Sequence, residues 1–226
     1  MNDILSDPRF NLYEEILLRE NAKYNLTAIT DRLEIRQKHF EDSLALLNDL
    51  DALPCPLPAD AHVLDIGSGA GFPGVPLSIA RPDWRATLLE ATAKKAQFLR
   101  MLAEELELTV TVVNARAEIA AHDPKLREQF DLVVSRAVAS LPVLCELCLP
   151  YVKVGGLFVA YKGTGERAGQ ELAQARHAIA VLGAQHEKTA EEATVYGART
   201  RIMLRKISQT PANYPRNHGN MLKKPL

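Results

Sequence analysis

The sequence predicts an α/β fold: a mostly parallel, seven-stranded sheet, doubly wound, with helices on both faces and antiparallel last strands. Three observations carry this expectation. Five short runs (63–66, 86–89, 110–113, 131–135 and 157–161) are apolar without polar alternation, the pattern of strands buried on both faces. Amphipathic segments of helical period (76–80, 94–106, 141–152 and 167–182) alternate with them, as crossover connections between parallel strands require. The last two candidate strands, 187–194 and 200–207, have no ten-residue helix between them, so they are expected to pair antiparallel at the sheet edge.

The elements ahead of the sheet read as helices. Leu12, Ile16, Leu17 and Glu20 share a helical face, and Asp31 is placed to cap a second helix carrying Ile35, Phe40, Leu44 and Leu47. A short β-branched connector, 25–30, separates them. Three prolines within 53–58 then stiffen the backbone and remove helix donors, which marks a boundary. The expected organisation is a helical extension over 1–58, a ligand-binding domain over 59–208 and a basic tail over 209–226.

Composition bounds the function. The chain has 226 residues, 47% hydrophobic and 24% charged, within the range of ordinary globular protein. No apolar run approaches the roughly 18 residues of a membrane span. The acidic N-terminus lacks the apolar stretch of a secretory signal. With three cysteines, this points to a reducing, cytoplasmic setting. Cys145 and Cys148 form a C-x-x-C inside a helical pattern, no second ligand pair has zinc spacing, and the six histidines are scattered. These thiols are expected to be structural. The net charge of −1 hides an asymmetry: seven of 27 basic residues and none of 28 acidic ones fall in 199–226. A basic end on an acidic body is a reason to consider a polyanionic partner, with a solvated tail as the simpler alternative.

The most informative stretch runs from Val63 to Gly74, where the first strand turns into the first helix at the carboxyl edge of the sheet, the place where open α/β sheets bind ligands. Gly67, Gly69 and Gly71 allow positive φ and leave no side chain between backbone and ligand. Two ligand classes compete. Gly69, Gly71 and Gly74 satisfy the dinucleotide spacing, with Glu90 at a distance suited to a ribose. Against that, the glycines begin only two residues past Asp65, and Pro73 and Pro76 leave the helix start short of amides for a pyrophosphate. The pattern Asp65-x-Gly67-x-Gly69-x-Gly71 instead resembles the nucleoside-binding turn of class I S-adenosylmethionine-dependent methyltransferases, whose cationic, phosphate-free cofactor tolerates the acidic Asp65, and the resemblance implies the roles that follow. Glu90 would then accept the ribose hydroxyl protons, the Ala117 amide and Glu118 would border the adenine, and Arg136, after the fourth strand, would offer a bidentate clamp.

At this point the residues resemble a known family, the bacterial small-subunit ribosomal RNA guanine-N7 methyltransferases, or glucose-inhibited division protein B family. The likeness is carried by 25–29, by His39-Phe40 with Asp42-Ser43-Leu44, and by the turn from Gly67 to Pro76. Lys94-Lys95 with Phe98-Leu99, Arg116-Ala117-Glu118, Ser135-Arg136-Ala137-Val138, Tyr161-Lys162-Gly163 and the closing Tyr214-Pro215-Arg216 with Pro225-Leu226 complete it. The sequence departs from the family pattern at Glu20, where a tryptophan is common, at Lys94-Lys95 in place of Lys-Arg, and at Glu90-Ala91 in place of Asp-Ser.

The resemblance implies a Rossmann-like class I methyltransferase with S-adenosyl-L-methionine as cofactor, contacted at Gly67, Phe72, Ala117, Glu118 and Arg136. It implies a 16S ribosomal RNA substrate, naked or in a small-subunit particle, no membrane partner and a monomer. Guanine N7 carries a lone pair and no proton, so no general base is expected, and the sequence has no Asn-Pro-Pro-aromatic tetrad and no cysteine near the turn. Arg136 and Lys162 are candidate donors to the base. Phe72 and Tyr214 are aromatics that either stack on RNA or pack, and the basic tail is a candidate phosphate contact whose loss would flatten salt dependence. The rival readings are a small-molecule methyltransferase, a nicotinamide-dependent oxidoreductase and a non-catalytic binder.

Overall fold

The structure, a computed structural model, describes residues 2–226, with side chains from Asp3 onward. Helices α1 (Asn2–Leu5), α2 (Pro8–Tyr24), α3 (Arg32–Ile35), a π-helical turn (Arg36–Glu41) and α4 (Asp42–Asp51) precede the sheet. The sheet region follows as β1 (His62–Ile66), α5 (Gly74–Ala80), β2 (Arg85–Glu90), α6 (Ala93–Glu105), β3 (Val110–Asn114), α7 (Ala117–Ala120), β4 (Phe130–Arg136) and α8 (Leu141–Cys148). It continues through β5 (Val152–Lys162), α9 (Gly165–Gln174), α10 (Arg176–Val181), β6 (Ala184–Thr194) and β7 (Gly197–Lys206) to α11 (His218–Lys223). Asp31 caps α3 as its position predicts, accepting the Glu34 N–H at 2.9 Å.

The strand order is β3-β2-β1-β4-β5-β7-β6. The first five strands run parallel, β7 lies antiparallel beside β5, and β6 forms the edge. The register sets Ile66 beside Leu89, Glu90 beside Asn114 and Arg136 beside Tyr161. The carboxyl ends of all five parallel strands therefore share one edge.

Two expected helices are corrected. The segment expected over 141–152 is helical only to Cys148. Leu149–Tyr151 form a 3-10 turn, because Pro150 has no N–H to continue the helix, and Val152 already begins β5. The segment expected over 167–182 is two helices meeting at Ala175, a break that no residue type announces.

The N-terminal helices lie on the sheet rather than beside it. Phe10, Tyr13, Ile16, Ile35 and Phe40 share one buried cluster with Phe72, Val75, Leu88, Phe98 and Leu102. Tyr161 on β5 reaches into this layer, its hydroxyl donating to the Ser43 carbonyl at 2.9 Å. Residues on both sides of the proline-rich boundary thus belong to one core.

Candidate functional site

The glycine turn is built by its own hydrogen bonds. Gly67, Gly69 and Gly71 hold φ values of +73°, +57° and +102°, which L side chains rarely adopt. The Gly67 N–H donates to the Leu89 carbonyl at 2.8 Å, and the Gly71 N–H to the Ser68 carbonyl at 2.7 Å. Asp65 is buried behind the turn, its Oδ2 accepting the Gly74 N–H at 3.0 Å. A Cβ on Gly74 would stand 2.8 Å from that oxygen, so Gly74 serves close approach. Burial pushes the Asp65 carboxyl up to about 7, and its Oδ1 is buried without a partner.

Glu90 sits under the turn at the end of β2. Its Oε2 accepts the Gly69 N–H at 3.0 Å and its Oε1 the Thr92 N–H at 2.7 Å. A carboxylate has about four acceptor sites, so lone pairs remain for two hydroxyls. Asn114, which sequence reasoning passed over, pins the next strand end by donating to the Glu90 and Ala91 carbonyls at 2.8 and 3.1 Å. Ala117 begins α7, its carbonyl held by the Tyr151 hydroxyl at 2.6 Å, and Glu118 pairs with Arg116.

Gly67, Ile66, Leu89, Ala91 and the Arg116–Glu118 loop line a cavity of about 140 Å³, closed by Val138, Leu147 and His218. The structure therefore brings Gly67, Ala117 and Glu118 to one cavity, while Glu90 and Gly69 are bonded to each other beside it without lining it. The start of α5 has no amides to spare for phosphate: Gly74 N–H is taken by Asp65, Val75 N–H by the Gly71 carbonyl, and Pro76 has none. A dinucleotide does not fit this turn; an uncharged or cationic nucleoside does.

Arg136 faces a second space. Its guanidinium donates to Asp42 Oδ2 at 2.9 Å, the Lys38 carbonyl at 3.2 Å and His39 Nδ1 at 3.2 Å. With Lys38, Tyr161, Lys162 and Arg199 it lines a cavity of about 590 Å³. The two cavities flank the turn after β4, where Ala137 holds a strained φ of +58°. Val138 borders the first cavity and Arg136 and Ala137 the second. Arg136, expected to contact the cofactor, thus lines the second cavity and not the first. Lys162 donates to the Ala139 carbonyl at 2.8 Å and pairs with Glu171 at 2.7 Å. Each cation keeps at least one N–H beyond these bonds.

His39 is a second residue whose role the sequence did not disclose. Its Nδ1 accepts from Arg136, which leaves the proton on Nε2 to donate to Thr27 Oγ1 at 3.0 Å. Burial, reinforced by the Arg136 charge, lowers its pKa to about 3. Asn21 holds the connector in place, its Oδ1 accepting the Leu26 and Thr27 N–H groups. The Asn25–Thr27 stretch, His39 and Asp42 thereby act together as the support for Arg136.

Three alternatives left open by the sequence can be compared with the structure. The Phe72 ring is no stacking surface for RNA: it is 5% exposed and lies stacked on His39 at 4.5 Å and on Tyr13 at 5.2 Å. Tyr214 packs half-buried against the main core, its carbonyl accepting from Arg127 at 2.8 Å. The basic end is also less basic than its composition. Arg216 pairs with buried Glu146, Arg201 with Asp49, Arg205 with Glu187, Lys206 with Glu128 and Arg199 with Asp42. Of the seven cations, Lys223 and Lys224 lack such a carboxylate among the described residues. Cys145 and Cys148 are buried, and burial raises both thiols, as structural thiols require. Among the described residues no group of side chains could hold a metal ion, and no helix is long and apolar enough to cross a membrane.

Residues 7–199 match the family model described as rRNA small subunit methyltransferase G (GidB). The chain is 41% identical to the ribosomal RNA small subunit methyltransferase G of Acetivibrio thermocellus, an alignment over 96% of this chain and 88% of the relative. It is 44% identical to the protein of the same name from Lactobacillus johnsonii, over 96% and 90%. Among solved structures it resembles a putative O-methyltransferase from Klebsiella pneumoniae, with a TM-score of 0.60 and 18% identity over 90% of this chain and 91% of that one. It also resembles M. jannaschii TYW2 in complex with AdoMet, with a TM-score of 0.52 and 13% identity over 74% and 77%. At these identities the two structures speak to the fold alone.

Proposed function

Because the chain belongs to the rRNA small subunit methyltransferase G family, we propose that it transfers a methyl group from S-adenosyl-L-methionine to N7 of a guanosine in 16S ribosomal RNA. The observation that carries this reading is the turn after β1. Its glycines hold positive φ with no side chain over the backbone, Glu90 is tied to the turn through the Gly69 N–H, and the α5 amides needed for a pyrophosphate are used or missing, which supports a phosphate-free nucleoside as the ligand. When bound, S-adenosyl-L-methionine supplies an electrophilic methyl carbon on a sulfonium.

The chain's own part is to bind and align. Gly67 and Gly69 give close approach, Glu90 accepts ribose hydroxyls, and the Ala117 amide and Glu118 face the adenine edge. Arg136 and Lys162 present N–H donors to the second cavity, where N7 and O6 of a guanine are acceptors on one edge. N7 has no proton to lose, so no residue need act as a base, and alignment alone can contribute about 7–11 kcal/mol. The partner is ribosomal RNA, from which the target base is reached in a loop or by extrusion. We assign the protein to the cytoplasm and to a monomeric form.

The test is incubation with isotopically labelled S-adenosyl-L-methionine and 16S RNA, free or in small subunits, followed by nuclease digestion and mass spectrometry. One labelled 7-methylguanosine is expected. Label on another atom, or none on either RNA form, would overturn the proposal.

A further inference from the structure

The C-terminal segment reads in the sequence as an RNA arm, yet the structure ties it to the wall of the first cavity. Arg127 donates to the carbonyls of Thr210, Pro211 and Tyr214, and His122 Nε2 lies 3.1 Å from the Pro215 carbonyl. Arg216 then closes on α8. Its backbone N–H meets Glu146 Oε1 at 2.7 Å, and its Nε and Nη2 meet Oε1 and Oε2 at 2.8 and 2.6 Å. Glu146 is 1% exposed, so this bidentate pair is a fixed point rather than a surface contact. Five residues on, Met221 is fully buried in the core cluster that also holds Leu147 and Ala117.

Between these anchors the chain has little freedom. Asn217 Oδ1 accepts the Asn220 N–H at 2.9 Å and starts α11. His218, the first residue of that helix, lines the cavity together with Gly67, Ala117, Glu118 and Leu147. A flat ring with a polar edge stands beside the loop that borders the adenine.

We propose that His218 is a cofactor-binding residue, its imidazole forming the outer wall of the adenine site, and that the C-terminal segment is part of the cofactor pocket. This rests on the reading of that cavity as the adenosine site. By linkage, cofactor binding and docking of the segment favour each other.

The experiment is titration calorimetry of wild type, His218→Ala and His218→Phe with adenosylhomocysteine, alongside filter binding of 16S RNA to the ligand-free proteins. Contacts of a base with a planar side chain are typically lost at about tenfold or more in affinity on truncation to alanine. H218A is expected to weaken adenosylhomocysteine by about tenfold, H218F to recover most of it, and RNA affinity to stay within about twofold. Equal ligand affinity in wild type and H218A, at matched thermal midpoints, would overturn the proposal while leaving the function intact. Loss of RNA affinity alone would return the segment to the role of an RNA contact. Wild type giving no heat with adenosylhomocysteine would remove the adenosine site itself, and this inference with it.

Discussion

Desolvation shifts two titratable residues near the glycine turn in opposite directions, the half-buried His39 and the buried Asp65. His39 is held by desolvation, reinforced by the charge of Arg136 and less by Lys38 and Arg199, at a pKa of about 3 against an ordinary 6.5. It stays neutral in the native state while the unfolded chain takes up a proton below 6.5. Its contribution is therefore complete above that pH and drains away as pH falls towards 3. Asp65 runs the other way. Its native carboxyl keeps its proton up to about 7, whereas the unfolded one ionises above 3.8, so stability falls as pH rises through that window. The two oppose each other between about pH 4 and 6.5, and at about 1.4 kcal/mol per pH unit each slope is measurable. Asp65→Asn, which keeps an acceptor for Gly74, should make stability rise by roughly 2–3 kcal/mol from pH 4.5 to 6.5 relative to wild type. His39→Gln should make it fall by a similar amount. Urea unfolding at the two pH values reads both, and variants that track wild type would show that neither group is held as described.

At the level of elements, the C-terminal segment gives the sharpest contrast between composition and structure. Arg216→Ala leaves the buried Glu146 carboxylate without its partner, a loss of about 3–5 kcal/mol. At roughly 2–4 °C per kcal/mol for a chain of this size, scanning calorimetry should show a midpoint lowered by about 6–20 °C. The double variant Glu146→Leu/Arg216→Met should recover most of it. Lys223→Ala/Lys224→Ala should leave the midpoint alone and reduce the salt dependence of RNA binding by at most about two released ions, because among the described residues these two cations of the segment have no carboxylate partner. A steeper change would mean that paired arginines move to phosphate. The strands and the glycine turn were legible because each is a local pattern: apolar runs for β1 to β5, positive-φ residues beside Asp65. The pairing of the tail was not, since Arg216 and Glu146 lie 70 residues apart and Arg201 and Asp49 lie 152 apart. The placements of His39, Asn114 and His218 escaped for the same reason. A lone histidine or asparagine has no periodicity, and only the tertiary fold brings each to its place.

For the whole molecule, the proline-rich stretch after α4 marks a boundary in the chain but not in the core. Residues ahead of it hold the sheet's carboxyl edge from above. The Tyr13 hydroxyl donates to the Ala70 carbonyl at 2.6 Å inside the glycine turn, Asp42 and His39 position Arg136, and Asp49 pairs with Arg201, which is 4% exposed. Removing 1–58 would open Phe72, Val75, Phe98 and Leu102 to water, a large penalty, and would leave Arg201 with Glu192 in place of Asp49 as its carboxylate partner. Residues 59–226 alone are therefore expected to lack a fixed tertiary structure, with near-UV dichroism lost and adenosylhomocysteine binding absent. The full chain should unfold with coincident near- and far-UV transitions, since one cluster spans both segments. A folded, ligand-binding 59–226 fragment would show that the glycine turn keeps its shape without Tyr13. The N-terminal helices would then act on the substrate side only, through Lys38, His39 and Asp42.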